Sequence, residues 1–174
     1  MVEPAERSYE TFVDLATGLY DRRTMWSRLA EEVARARRYR YPLSLMLLSF
    51  DAPNADQAVG QILQLARLLK EHTRTADILA RYSEDTLAIL LPCTDEAGSL
   101  QLAQRIQSLA QAGSAAGAGS EGGALLRIGL TAALQDHAGD KQDFVEQVEW
   151  ALREARRMGS GKRMIVVPTA AQGA

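Results

Sequence analysis

The sequence predicts an α+β fold, a central mostly antiparallel sheet flanked by helices, and three observations predict it. Short continuous apolar runs such as "LSLMLLSF" and "TLAILLP" alternate with longer stretches whose apolar residues recur at i, i+3 and i+4. Two runs, "DILARY" and "TLAILLP", are separated only by "SED", the spacing of a β-hairpin. The order is strand, helix, strand, hairpin strand, helix, strand, the ferredoxin-like split βαβ arrangement, with a further helix and strand appended. Helices are expected on one face, leaving the other face and the hairpin tips free for ligands. Many unrelated functions use this architecture, so function has to be argued from sites.

Residues 1–13 read as a linker or short helix, 14–168 as one domain and 169–174 as a frayed, disordered tail. A helix is expected from Arg22 to Arg40, with Met25, Trp26, Leu29, Val33 and Ala36 inward and Arg35, Arg37, Arg38 and Arg40 outward. Asp21 caps its start and Pro42 ends it. A buried strand over 43–50 follows, then turn material in "DAPNAD". "QAVGQILQLARLLKEHT" is an amphipathic helix with Val59, Ile62, Leu63, Leu65, Ala66 and Leu69 on its apolar side. After the hairpin, Asp95 caps a helix expected to run to about Leu109, with Leu102, Ala103, Ile106 and Leu109 inward. Residues 111–123, rich in Gly, Ala and Ser, read as a flexible connection. "ALLRIGLTAAL" is a strand, Lys141 to Met158 a helix, and "KRMIVVP" the last strand. Trp26 and Trp150 fall on apolar helix faces and are expected in the core.

At 174 residues the chain is long enough for one domain with a core. A net charge of −2 argues against a dedicated nucleic-acid binder, though a small anionic nucleotide needs only a local cluster of Arg. The single Cys93 excludes an internal disulfide and a Cys-rich metal site, and is expected to be at least half-buried. No stretch approaches a membrane span and no start resembles a signal peptide, so the chain reads as cytoplasmic, without membrane insertion. His72 and His137 lack metal-ligand spacing and are given no role.

Four stretches in order resemble the GGDEF family, the diguanylate cyclase domain, whose nucleotide-cyclase-like fold agrees with the reading above. "DLATGLYDRR" is similar to the family's D-x-L-T-G-L-x-N-R-R, and "RYSEDTLAILLP" to its R-x-G-G-D-E-F-x-x-x-L-P hairpin. "RIGLTAAL" is similar to its S-I-G-V-A strand, and "ALREARRMGSGKR" to its A-L-Y-x-A-K-x-x-G-R-N ending. The resemblance spans about residues 12 to 167. It implies a bacterial signalling protein whose relatives condense two GTP molecules, one per subunit, into cyclic di-GMP. A divalent cation held by an acid at the end of the first strand and another at the hairpin tip neutralises the triphosphate there. The tip glycines admit the nucleotide because neither carries a Cβ.

At those positions this chain departs from the pattern. Ser83 and Glu84 replace the two glycines, Asp85 keeps the metal position, and Thr86 and Leu87 replace Glu and Phe. Ser49 stands where the first-strand metal acid is expected, and Asp51 matches the second acid of D-x-D. The guanine-reading loop is shortened to "PNADQAVGQ", with Asn54 the nearest match for the lost Asn and Gln61 for the closing Asp. Arg156 corresponds to the phosphate-binding Lys, and Lys162 or Arg163 to the following Arg. Losing several groups that act as a unit leaves essentially no turnover. The expectation is a vestigial active site at Ser49, Asp51, Ser83, Glu84, Asp85 and Thr86, with no catalytic residue and no required cofactor.

A second site of the family is kept. "RTAD" places Arg74 and Asp77 as R-x-x-D, nine residues ahead of Ser83, the offset of the family's product-inhibition site (I-site). Arg offers a planar fork for a guanine's O6 and N7, and a carboxylate accepts from N1–H and N2–H. Arg105 on the next helix is the candidate third contact. The resemblance thus implies a degenerate, regulatory GGDEF domain that binds cyclic di-GMP at Arg74, Asp77 and Arg105 and passes the signal to a protein partner or an attached sensor or effector domain. A homodimer is compatible with it, and a chain of this length is expected to be a portion of a larger protein. The alternatives are a ligand-free protein-interaction module and a residual GTP-binding cyclase.

Overall fold

The computed structural model describes residues 12–51, 55–116, 126–133, 141–158 and 164–167. The elements run α1 (Arg22–Tyr39), β1 (Leu43–Phe50), α2 (Ala55–His72), β2 (Ile78–Arg81), β3 (Thr86–Pro92), α3 (Glu96–Ala116), β4 (Leu126–Ala133), α4 (Lys141–Arg157) and β5 (Met164–Val167). One five-stranded sheet has the order β2-β3-β1-β4-β5. Its pairs are antiparallel except β4–β5, which is parallel. This is the predicted split βαβ core, with α4 and β5 appended.

Helices cover both faces, which corrects the expectation of a free face. Leu43, Leu45 and Leu47 of β1 pack with Met25, Leu29 and Val33 of α1 and with Val145, Val148 and Leu152 of α4. Met46 and Leu48 point the other way, onto Ile62, Leu65 and Leu69 of α2 and Ala103 and Ile106 of α3. A strand buried on both faces gains apolar burial at every residue rather than every second one. That is the physical reason "LSLMLLSF" shows no alternation. Ligands are left the two ends of the strands and the turns.

Local chemistry sets the ends of the elements. The Asp21 carboxylate accepts from the Thr24 backbone N–H at 2.7 Å, satisfying a free donor of the first turn of α1. Arg40 closes α1 in the left-handed region, φ 54°, just ahead of Pro42. Asp95 accepts from the Gly98 N–H at 2.8 Å and starts α3. That helix continues to Ala116, past the predicted end near Leu109, because Ala112, Ala115 and Ala116 are strong helix formers that outweigh Gly113 and Ser114.

Three expectations about side chains are corrected. Trp150 is 50% exposed, because it lies off the Val145–Val148–Leu152 stripe that meets the sheet. Val59 is 51% exposed, since the buried stripe of α2 begins only at Ile62. Cys93 is exposed, in a turn with φ 53° between β3 and α3, where the left-handed backbone carries its side chain out of line with the strand. Trp26 does pack against the α1–α4 core, partly buried.

Ahead of α1 the chain forms a strap along the sheet edge. Tyr20 donates to the Leu79 carbonyl at 3.0 Å and accepts from the Arg81 N–H at 2.8 Å, so it pairs with β2 in parallel. Gly18, at φ 63°, makes the turn into it. Lys70 of α2 holds that turn by donating to the Thr17 carbonyl at 2.9 Å.

Candidate functional site

Two clusters stand out at the rims of the sheet. The first lies where β1 ends. Ser49 is the cross-strand partner of Thr86 on one side and Arg127 on the other. Paired residues of antiparallel strands share a face, so these three form a row on the side covered by α4. Arg156, in the last turn of α4, reaches into that row. Its Nε donates to Ser49 Oγ at 3.0 Å, and its Nη2 donates to Asp85 Oδ2 at 2.8 Å and Thr86 Oγ1 at 3.2 Å. Asp85 Oδ1 accepts from Ser83 Oγ and Thr86 Oγ1, each at 2.8 Å. Burial pushes the Asp85 carboxyl up, but the Thr86 and Ser83 hydroxyls and the Arg156 cation outweigh it and hold the group below the usual carboxylate range.

At one end of this row Arg127, only 3% exposed, is paired with Asp51, its Nη2 2.6 Å and its Nε 2.7 Å from Asp51 Oδ2. Of the four side chains that meet at this rim as two ion pairs, Asp51 and Asp85 were identified as site residues from sequence. Arg156 was assigned only to phosphate, and Arg127 was missed. A charged residue inside an apolar strand run, as in "LLRIGL", was its signal, because a buried charge requires a partner.

The hairpin tip is knitted into its own backbone. Tyr82 and Ser83 N–H both donate to the Thr86 carbonyl, at 2.9 and 3.1 Å. The Arg81 guanidinium donates to the carbonyls of Ser83 at 3.3 Å and Glu84 at 3.1 Å. It also reaches Asp14 Oδ1 at 3.4 Å, tying the tip to the strap. Glu84 is exposed.

The second cluster is at the opposite end of β3, where α2 turns into β2. The Arg74 N–H donates to Asp77 Oδ2 at 2.8 Å, and the Asp77 N–H donates to the Arg74 carbonyl at 3.0 Å. These two bonds build a tight turn in which the Arg74 guanidinium forms no ion pair among the described residues. Arg105 of α3 donates to the carbonyl of His72, which fixes it over the same turn. Arg74, Asp77 and Arg105 line one open cavity of about 320 Å³, with Thr94, Gln101 and Leu102 among its walls. Burial pushes the Asp77 carboxyl up; the Arg74 N–H and the charges of Arg74 and Arg105 pull it down without fully offsetting that. The three residues named from sequence are therefore brought together here.

A divalent cation, which the resemblance implies at the first cluster, does not fit the residues present. Among the described residues no three His, Cys, Asp or Glu side chains converge. Both Asp85 oxygens accept hydrogen bonds, and a hard cation needs carboxylate oxygens that are free to coordinate. Ser49 Oγ, where a second acid would be required, accepts from a guanidinium. Asn54, His137, Lys162 and Arg163, together with the segment 1–11 and the tail, lie outside the described residues. Among the described residues no helix is long and apolar enough to cross a membrane.

Comparison with known proteins places these clusters in context. A family model described as "Diguanylate cyclase, GGDEF domain" matches residues 11–162. Diguanylate cyclase DgcP of Pseudomonas aeruginosa is 29% identical over 161 residues, which is 88% of this chain but only 24% of that protein. Among solved structures, the FimX GGDEF domain from Pseudomonas aeruginosa aligns with a TM-score of 0.74 at 20% identity, covering 91% of this chain and 99% of that one. The GGDEF domain of DgcB from Caulobacter crescentus, solved in complex with c-di-GMP, aligns at 0.75 with 16% identity, covering 92% and 96%.

Proposed function

The chain belongs to the diguanylate cyclase GGDEF domain family, and on that premise we propose that it is a silent member that binds cyclic di-GMP instead of making it. The binding site is the cavity between α2, β2 and α3. Arg74 supplies the guanidinium for a guanine edge or a phosphate, Asp77 the acceptor for guanine N1–H and N2–H, and Arg105 a second cation. The observation that carries this is the turn itself. Asp77 is held by the Arg74 backbone rather than by its side chain, so the guanidinium is left available toward a cavity of about 320 Å³ that a second arginine overlooks. An Arg–Asp pair serving only surface packing would have closed on itself. The bound dinucleotide in a similar domain supports the ligand class.

Silence follows from the other cluster. The acid required at Ser49 is missing, the tip reads Ser83-Glu84 rather than Gly-Gly, and Glu84 adds negative charge where a triphosphate would lie. Each lost charge stabiliser costs roughly 10²–10³ in rate. In this reading residues 14–168 form the regulatory domain, which relays the bound state to a partner or attached domain.

Calorimetry with cyclic di-GMP tests the binding half. The native chain is expected to bind, and Arg74→Ala to lose binding with its melting temperature unchanged. No heat from the native chain would favour a ligand-free interaction module. Incubation with GTP and Mg²⁺ or Mn²⁺ tests silence, and any cyclic di-GMP formed would refute it.

A further inference from the structure

The mismatch with a divalent cation carries a more specific conclusion, which deepens the silent half of the preceding reading. We infer that this domain has replaced the metal with built-in guanidinium cations, Arg156 on Asp85 and Arg127 on Asp51, so that its former metal seat is permanently neutralised and takes up no divalent ion.

The charge balance supports this. Among the described residues, Asp51 and Asp85 each meet an arginine at this rim, with N–O separations of 2.6 and 2.8 Å. A guanidinium is planar, stays charged at any accessible pH and presents several donors at once. Arg156 uses them on three residues, Ser49 of β1, Asp85 of the hairpin tip and Thr86 of β3. It thereby joins the end of β1 to the hairpin tip, the two segments that a metal would bridge.

The Ser49 exchange follows from the same geometry. Ser49 is fully buried, at 0% exposure. An Asp there would set a second carboxylate beside Asp85 against the same Arg156 guanidinium. A neutral hydroxyl that accepts from Arg156 Nε pairs that donor without adding charge. The substitutions at Ser49 and Thr86 therefore act together, each offering Arg156 a neutral oxygen. A Mg²⁺ would have to displace the guanidinium from Asp85, and among the described residues of this row it would find no second acid, since Ser49 stands where one would be needed.

Metal uptake without nucleotide tests this apart from turnover. Mn²⁺ is titrated into the native chain and free Mn²⁺ is read by electron paramagnetic resonance. The native chain is expected to take up none at 1 mM Mn²⁺, roughly the weakest affinity of biological divalent sites. The variant Ser49→Asp/Arg156→Ala, checked for folding by circular dichroism, is expected to bind one Mn²⁺ at least tenfold more tightly than any residual uptake by the native chain. The inference is overturned if the native chain binds one Mn²⁺ that Asp85→Asn abolishes, or if the folded double variant gains no affinity. If the double variant does not fold, the native and Asp85→Asn titrations decide by themselves. Uptake by the native chain with no cyclic di-GMP formed from GTP would sink this inference and leave silence standing.

Discussion

Gly129 in β4 is the point where packing and the Arg156 cluster meet. A Cβ built there would lie 2.5 Å from the Leu152 backbone N, 2.7 Å from the Val148 carbonyl O and 2.9 Å from the Leu152 Cα. All three atoms belong to the backbone of α4, so no side chain can swing aside to make room. The helix must retreat by roughly 1 Å, and overpacking of this kind costs about 1–3 kcal/mol. For a domain of this size each kcal/mol lowers the melting temperature by about 2–4 °C, so Gly129→Ala is expected to melt roughly 2–12 °C lower. Gly60 in α2 is the matched control, because a Cβ there meets nothing within 4 Å. Gly60→Ala relieves a helix-interior glycine and is expected to gain about 0.5–1 kcal/mol. Thermal denaturation followed by circular dichroism reads both. If Gly129→Ala melts at or above the native temperature, α4 does not sit on β4 as described, and the reach of Arg156 to Ser49 and Asp85 would have to be rejected with it.

Two further outcomes are expected. Tyr82, buried with its hydroxyl donating to Glu149, has its pKa pushed up to about 12, first by burial and then by that hydrogen bond and the carboxylate charge. A raised folded-state pKa means its share of stability is complete below pH 10 and lost as pH rises toward about 12, so alkaline melts should flatten over that window in Tyr82→Phe. Asp51→Ala should destabilise by about 1–3 kcal/mol, because it strips a carboxylate partner from the buried Arg127; denaturant titration against Arg127→Met/Asp51→Ala, expected to recover most of the loss, checks that loss of this pair is the cause.

Much of the fold was legible because its signals are local. Asp21 and Pro42 bracket α1, and the β3 boundaries follow from "SED" before an apolar run that ends at Pro92. The coverage of both faces was written in the same string, since "LSLMLLSF" lacks the alternation of a one-sided strand, but the helix order alone does not say which face each helix takes. The end of α3 was misread because alanine supports helix and glycine-rich connection alike. The Arg74–Asp77 turn was readable, being four residues long, with Arg105 on the next helix past the hairpin. The Arg156 cluster was not: its guanidinium meets Ser49 across 107 positions of sequence and Asp85 across 71, and only the sheet register and the seat of α4 bring them together.

The strap through Tyr20 also does something for the sheet as a whole. β2 is the outermost strand on its side, and a bare outer strand offers an open ladder on which foreign chains can polymerise. By occupying the Leu79 carbonyl and the Arg81 amide, Tyr20 closes part of that ladder. Clipping the chain just ahead of α1 would therefore be felt first as lost solubility, with sticky, self-associating material appearing before any loss of helix content.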